Sequence, residues 1–465
     1  LGSMNKTITD LKLDLPKDIW TQDIDIIAPH LKEWRDIYNG NTPIMLTPRT
    51  TAEVSKCINV CRQNNFKIVP QGGNTGLVGG QIPMGEVLIS LTKMKKIREV
   101  SKINNSMIVE AGATLQEVHN AANIFDRQFP LFLSSQGSCT IGGNLSTNAG
   151  GNHVLKYGTT RDLVFGVEAV LANGDVYNGL TNLKKDNTGY DLSNLFIGAE
   201  GTLGIITAAS LKLFEMPKYT QRALIAVQSP KMAIELLEHS RCDGKMSMFE
   251  VMSQISFNAV IKNFSAVRDP FKKTYPWYVL IDWDTETKAV GLKYAENLLS
   301  AAYEKKIIID AVIAQNENQS KEIITIRENM SAGQKYLGGS IKFDIAVPIE
   351  YIPNFLIKAD KCITKLIPGC RPVAFGHFGD GNIHYNISQP PDVDKHIFLE
   401  KWDDASELIF DIVTGFKGSI SAEHGIGIMK KKELAKRSDP VKYNMLKLVK
   451  NALDPSNIMN PRVLL

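Results

Sequence analysis

The sequence predicts an α+β protein built in two parts, and three observations carry that prediction. Its 465 residues suit two or three domains at ~150 residues each. Up to about residue 218, short helical periods are interleaved with many short apolar runs and repeated glycine turns. After Pro217 the character changes, and single strand-like runs alternate with longer helical stretches to about residue 415.

The elements follow in chain order. Leu1, Gly2 and Ser3 ahead of Met4 read as a cloning scar. Residues 1–38 form a polar lead-in of helical character. Ile44, Met45 and Leu46 make a short strand. Thr50 with Glu53 offers a capping box, and Val54, Ile58 and Cys61 at i, i+4, i+7 carry a helix to about Asn64. Cys57 and Cys61, one helical turn apart, belong to its buried face. Residues 66–69 read as a strand running into a glycine-rich loop. Residues 87–91 and 107–110 are further strands. Thr114 with Glu117 is a second capping box, opening a helix to about Phe125. Asn173-Gly174, flanked by residues 167–171 and those after Asp175, is a hairpin signal. Beyond Pro217, residues 223–227, 278–282 and 341–347 read as strands. Residues 231–239, 290–302 and 398–413 read as helices. The tail carries another glycine loop and a helix, and then Asn460-Pro461.

Composition narrows the function classes. Lys plus Arg is 53 against 49 for Asp plus Glu, a net charge of +4 and too mild for nucleic acid or an anionic membrane. The basic run Lys430-Lys431-Lys432 reads as a solvated helix face. No apolar run reaches the ~18 residues of a membrane span. Neither a signal-peptide core nor an Arg-rich transit segment follows Met4. Six cysteines without a CxxC argue against a disulfide scaffold or a cysteine-rich zinc site, and for a reducing, cytosol-like compartment.

The chemistry starts at glycine. No GxGxxG follows a strand and opens a helix, and no GxxxxGK[ST] occurs, so NAD and ATP lose ground. Three other stretches stand out: residues 71–80, QGGNTGLVGG; residues 134–151, SSQGSCTIGGNLSTNAGG; and residues 198–207, GAEGTLGIIT. Glycine permits close backbone approach, and successive N–H groups in such turns form anion nests suited to a pyrophosphate. One such loop alone reads as an ordinary turn, but three within ~140 residues, each beside an apolar strand, read as a cradle.

In order and spacing these stretches resemble the FAD-binding domain of the vanillyl-alcohol oxidase / para-cresol methylhydroxylase flavoproteins, over residues 39–218. The resemblance implies two small α+β subdomains gripping an extended FAD, with a substrate-binding α+β cap domain at residues 219–415 and a segment, 416–465, returning to the FAD domain. It implies FAD contacts at Pro70, Gln71, Gly72, Gly73, Asn74, Thr75, Gly76 and Leu77 in the first loop. In the second they fall at Gly137, Ser138, Thr140, Ile141, Gly142, Gly143, Asn144, Thr147, Asn148, Ala149 and Gly150. Glu200, Gly204, Ile205, Ile206 and Asn460 complete the set. Some relatives bind flavin covalently through a His of the first loop. Asn74 stands in that place here, so the FAD is expected to be noncovalent.

Residues 376–386, GHFGDGNIHYN, carry the second signal. Asp380-Gly381 is a tight-turn pair, and a hairpin there would set His377 opposite His384, able to share a ligand. Imidazole suits zinc, iron and related divalent ions, although paired histidines are also common as structural residues. Residues 421–427, SAEHGIG, offer a carboxylate. Two His and one carboxylate would leave open coordination positions, as a catalytic metal needs. His424 beside Glu423 could then act as a base.

These motifs together resemble the FAD-linked D-2-hydroxyacid dehydrogenases, the branch with D-2-hydroxyglutarate, D-lactate and glycolate dehydrogenases. The resemblance implies one divalent metal, Zn²⁺ or Mn²⁺, held by His377, His384 and Glu423, with His424 as general base. It implies substrate-carboxylate contacts at Arg327, Ser331, Lys342 and Asn386, a set matching the 2-hydroxyglutarate type; Ser331 falls where Thr is common. From sequence alone, a surface salt-bridge role is the commoner explanation of Arg327 and Lys342. The expected reaction is metal-assisted oxidation of a D-2-hydroxy acid to the 2-oxo acid, with hydride passing to flavin N5. D-2-hydroxyglutarate is favoured over D-malate and D-lactate. A D-lactate or glycolate dehydrogenase or oxidase, and a flavin-binding subunit of a larger dehydrogenase complex, stand as alternatives. The expected electron acceptor is an electron-transfer flavoprotein, a quinone or a cytochrome. A homodimer is admitted, and the expected compartment is the cytoplasm, or the mitochondrial matrix in a eukaryote.

Overall fold

The computed structural model describes residues 7–241 and 244–465; Leu1 to Met4 and Cys242 lie outside them. The chain divides into two compact units. The first holds residues up to Gly151, Gly158–Met216 and Glu423–Leu465, and the second holds Asn152–Tyr157 and Pro217–Ala422. These bounds differ from those drawn on the sequence at 218/219 and 415/416. Ser419 exchanges backbone hydrogen bonds with Ala346, so residues 416–422 stay with the second unit. Lys156 pairs with Asp284 at 2.7 Å, which fastens Asn152–Tyr157 to the same unit.

The first unit contains two principal sheets. Strands β1 (Trp20–Thr21), β2 (Met45–Leu46), β3 (Ile68–Gln71) and β4 (Val87–Ser90) form one, in the order β1-β2-β4-β3 with parallel pairing at β2–β4 and β4–β3. Strands β5 (Ile97–Ser101), β6 (Ser106–Glu110), β8 (Val164–Val170), β9 (Val176–Asn178) and β10 (Ile205–Lys212) form an antiparallel sheet, β5-β6-β10-β8-β9. A two-stranded ribbon joins β7 (Arg127–Gln128) to β11 (Phe214–Glu215). The helix Thr51–Gln63 buries Val54, Cys57, Ile58 and Cys61 in a core shared with β2, β3 and β4. Burial pushes the Cys57 thiol up to about 12, leaving it a small apolar side chain.

Local signals mostly hold. Thr114 and Glu117 close a reciprocal capping box on Leu115–Ile124, and Gly174 (φ +87) turns β8 into β9. Thr50 caps its helix, but Glu53 reaches back to the N–H of Arg49 at 2.6 Å, so only half of the expected box forms. The strand expected at 66–69 lies at 68–71, because Ile68 and Asn460 tie it to the tail. The helix expected at 398–413 is two, Lys395–Leu399 and Trp402–Gly415, with separate caps at Asp394 and Lys401. Lys430 is buried rather than solvated.

The second unit is one seven-stranded, wholly antiparallel sheet with helices. Its strands are β12 (Tyr219–Val227), β13 (Met246–Ser253), β14 (Trp277–Thr285), β15 (Asp310–Ile313), β16 (Ser340–Ala346), β17 (Arg371–Gly376) and β18 (Asn382–Ser388). They run in the order β15-β12-β14-β13-β17-β18-β16. Every residue of β13 is buried, which marks a central strand covered on both faces. Phe257 and Val260 of Gln254–Asn263, with Ile323 and Ile326 of Glu317–Glu328, pack on the face bearing Met248, Met252 and Phe375. Among the described residues no helix is long and apolar enough to cross a membrane.

Candidate active site

In the first unit the three glycine loops line one cavity of about 280 Å³. A Cβ on Gly72 would collide with the Thr140 side chain, and one on Gly73 with the Ser138 carbonyl. The first and second loops therefore meet nearly backbone to backbone, which only glycine allows. Asn74 adopts φ +55 and donates its amide to the carbonyls of Pro29 (3.1 Å) and Lys32 (2.7 Å). Its side chain fastens the loop to the lead-in.

The sequence-read contacts lie along this cavity, except four. Gly137, Ser138, Ile141 and Asn148 are outside its lining. Ile141 is buried, and the Asn148 side-chain Oδ1 accepts the backbone N–H of Arg161 at 2.9 Å. The cavity also takes in Val78, Ser135 and Gly201 of the same stretches, Gln81 and Leu133 just outside them, none of them among the expected FAD contacts, and Glu423 and His424.

Glu200 (φ +54) explains how those last two come there. Its carboxylate accepts the N–H groups of Ile426 at 2.5 Å and Gly427 at 2.7 Å, and Asn460 donates to its carbonyl at 2.8 Å. Burial pushes its carboxyl up to about 7, against the two N–H donors and the charge of Lys430. A strained φ on a glutamate is tolerated where surrounding bonds over-determine it. The cradle of N–H groups, small residues and Asn, Ser and Thr side chains fits a dinucleotide.

In the second unit, register decides what meets. Lys342 lies opposite Asn386, Asp344 opposite His384, Phe375 opposite His384, and Met252 opposite Phe375. Alternation by two then places Glu250 (β13), His384 and Asn386 (β18), and Lys342 and Asp344 (β16) on one face of the sheet. Arg327 reaches that face from the helix packed on it, with Cζ 5.3 Å from the Phe375 ring centroid.

His377 falls just past β17, in a turn closed by Gly381 at φ +90, so it has no register partner on β18. Its ring nonetheless faces that of His384, centroids 5.4 Å apart at 76°. Its Nδ1 lies 2.5 Å from Glu250 Oε1, and Arg327 Nε donates to Glu250 Oε2 at 2.6 Å. Burial pushes the Glu250 carboxyl up, but the charges and hydrogen bonds of Arg327 and His377 outweigh it and hold it at about 2. A carboxylate on one nitrogen of an imidazole is a common way to fix the ring's tautomer and orientation.

The remaining candidates are placed unevenly. Lys342 is half-buried and Ser331 exposed. Asn386 is buried, donates to Gln334 Oε1 at 2.7 Å and accepts the Phe343 N–H at 3.3 Å, leaving one amide hydrogen. Glu250, Gln334 and Asp344 escaped motif reading. The one signal for Glu250 was a lone charge inside the apolar run 246–252.

Residues 216–464 match the family described as FAD linked oxidases, C-terminal domain, and residues 42–179 match the FAD binding domain. The D-2-hydroxyglutarate dehydrogenase of Arabidopsis thaliana mitochondria is 36% identical over 92% of this chain and 76% of its own. The D-2-hydroxyglutarate–pyruvate transhydrogenase of Saccharomyces cerevisiae is 31% identical over 94% of this chain and 89% of its own. A p-cresol methylhydroxylase structure shares the fold at TM-score 0.78 and 18% identity, covering 98% of this chain and 95% of that one.

Proposed function

This chain belongs to the FAD-linked D-2-hydroxyacid dehydrogenases, and from that premise we propose that it oxidises D-2-hydroxyglutarate to 2-oxoglutarate with the help of one divalent metal. The observation that carries the substrate is the gathering of Arg327, Lys342 and Asn386 on a single sheet face. Two cationic donor groups there, one more than a single carboxylate needs, suit a dicarboxylate even with Arg327 Nε engaged by Glu250.

FAD, held noncovalently by the glycine-loop cavity, would supply the two-electron acceptor for hydride at its N5. A divalent ion held by His377, His384 and Glu423 would act as a Lewis acid toward the hydroxyl and lower its pKa. The chain's own residues do the rest. Arg327 presents a planar fork to carboxylate, and Lys342 a point charge. Asn386 has one amide hydrogen left to donate. His424, half-buried in the glycine-loop cavity, takes the hydroxyl proton, a task suited to an imidazole near neutral pH. The electrons then pass to an electron-transfer flavoprotein, a quinone or a cytochrome. The named mitochondrial relative supports the matrix as the compartment in a eukaryotic source.

A rapid-mixing panel tests the substrate. D-2-hydroxyglutarate should bleach the oxidised flavin with higher kcat/KM than D-malate or D-lactate, and the L enantiomer should be inert. A higher kcat/KM for D-lactate would end the dicarboxylate assignment.

A further inference from the structure

Glu250 belongs to none of the motifs and has no task in the reaction above, yet it touches two residues that do. It lies at the centre of β13 with its side chain 1% exposed. Each of its oxygens has a different charged or polar partner: Arg327 Nε on Oε2 at 2.6 Å and His377 Nδ1 on Oε1 at 2.5 Å. These partners come from separate places in the chain, 77 and 127 residues away.

The geometry at Arg327 is directional. A guanidinium is a rigid planar fork, and binding it at Nε and covering one face fixes where its other end points. Glu250 holds the Nε edge, and the Phe375 ring lies against the guanidinium. Nη1 and Nη2 donate no hydrogen bond to the described residues, so this end is the one presented to a carboxylate. The geometry at His377 is equally directional. A carboxylate on Nδ1 selects the tautomer with hydrogen there and fixes the orientation of the ring that faces His384.

We propose that Glu250 is a positioning residue that aligns Arg327 for the substrate carboxylate and His377 for the divalent metal, one through each oxygen. The inference rests on the proposed function for the roles of Arg327 and His377. Its consequence is that metal affinity and anion affinity depend on the same buried carboxylate and fall together when it is altered. A plain structural ion pair would instead affect stability alone.

The test uses Glu250→Gln and Glu250→Asp in the flavin-loaded protein. Zinc affinity is measured by competition with a chromophoric chelator, 2-oxoglutarate affinity by perturbation of the oxidised flavin spectrum, and stability by Tm. Glu250→Gln should weaken zinc binding by roughly 10- to 100-fold. It should weaken 2-oxoglutarate binding by about tenfold or more, because the arginine loses its orienting partner. FAD content should not change. Glu250→Asp keeps the charge and should recover part of both affinities, and it serves as the test if Glu250→Gln does not fold. If a folded variant keeps both affinities within about twofold while Tm drops, the residue is structural and the proposal is overturned. Loss of one affinity without the other overturns the shared role. Should the wild-type protein bind neither zinc nor 2-oxoglutarate, it is the proposed function that fails, a result separate from equal binding by wild type and variant.

Discussion

Glu200 accepts the backbone N–H of Ile426 at 2.5 Å although 226 residues separate them. Its other oxygen takes Gly427, so one buried carboxylate fastens the segment that follows Glu423 and His424 to the third glycine loop. Burial of this carboxyl, which outweighs the two N–H donors, gives it a pH dependence. The folded pKa, about 7, stands above the ordinary value of 4.5. Its contribution to stability is therefore fully present below 4.5 and is lost as pH rises through 7. The size is on the order of 3 kcal/mol. Urea midpoints of flavin-free protein should fall between pH 5 and 8, and Glu200→Gln should flatten that slope. Equal slopes in the two proteins would remove Glu200 as the source.

Flavin should be released without bond cleavage. Asn74 occupies the place where covalent relatives carry a histidine, and its amide is committed to Pro29 and Lys32. An amide at that position offers no nucleophile. Acid precipitation should leave yellow FAD in the supernatant, and flavin retained in the pellet would contradict the expectation.

Metal removal should stop turnover and spare the flavin. A chelator should abolish substrate oxidation while the oxidised flavin spectrum persists. His384→Ala should lower metal content to the same end, since His384 offers one of the two facing imidazoles. Full activity in a metal-free preparation would exclude the metal from the reaction.

Lys342 and His424 should separate binding from chemistry. Lys342→Ala removes a charge-assisted hydrogen bond to carboxylate, worth ~1.5–3 kcal/mol, and should lower kcat/KM for D-2-hydroxyglutarate roughly ten- to a hundred-fold. D-lactate should lose less. His424→Ala should slow flavin reduction with little change in substrate affinity, because a base acts chiefly in the transition state. A purely KM-based loss in His424→Ala would assign it to binding instead.

The sequence by itself determined what short-range chemistry controls. Asn173-Gly174 can only turn tightly, Thr114 and Glu117 satisfy each other across one helical turn, and the three glycine loops announce close backbone approach. His377 and His384 were legible as a pair because the short turn between β17 and β18 brings their rings together. Tertiary structure decided the rest. Glu53 found Arg49 instead of closing its box, Lys430 turned inward, and the helix expected over 398–413 broke in two. Most of all, it joined Glu250 to Arg327 and His377. Strand β13 is buried along its whole length, so no alternation of apolar and polar residues marks which face Glu250 takes. That face is set by strand order and register, and β13 pairs with β17, a strand more than a hundred residues later in the chain. Local dihedral and capping preferences are written residue by residue, whereas the partner of a buried charge is fixed only when distant strands are laid side by side.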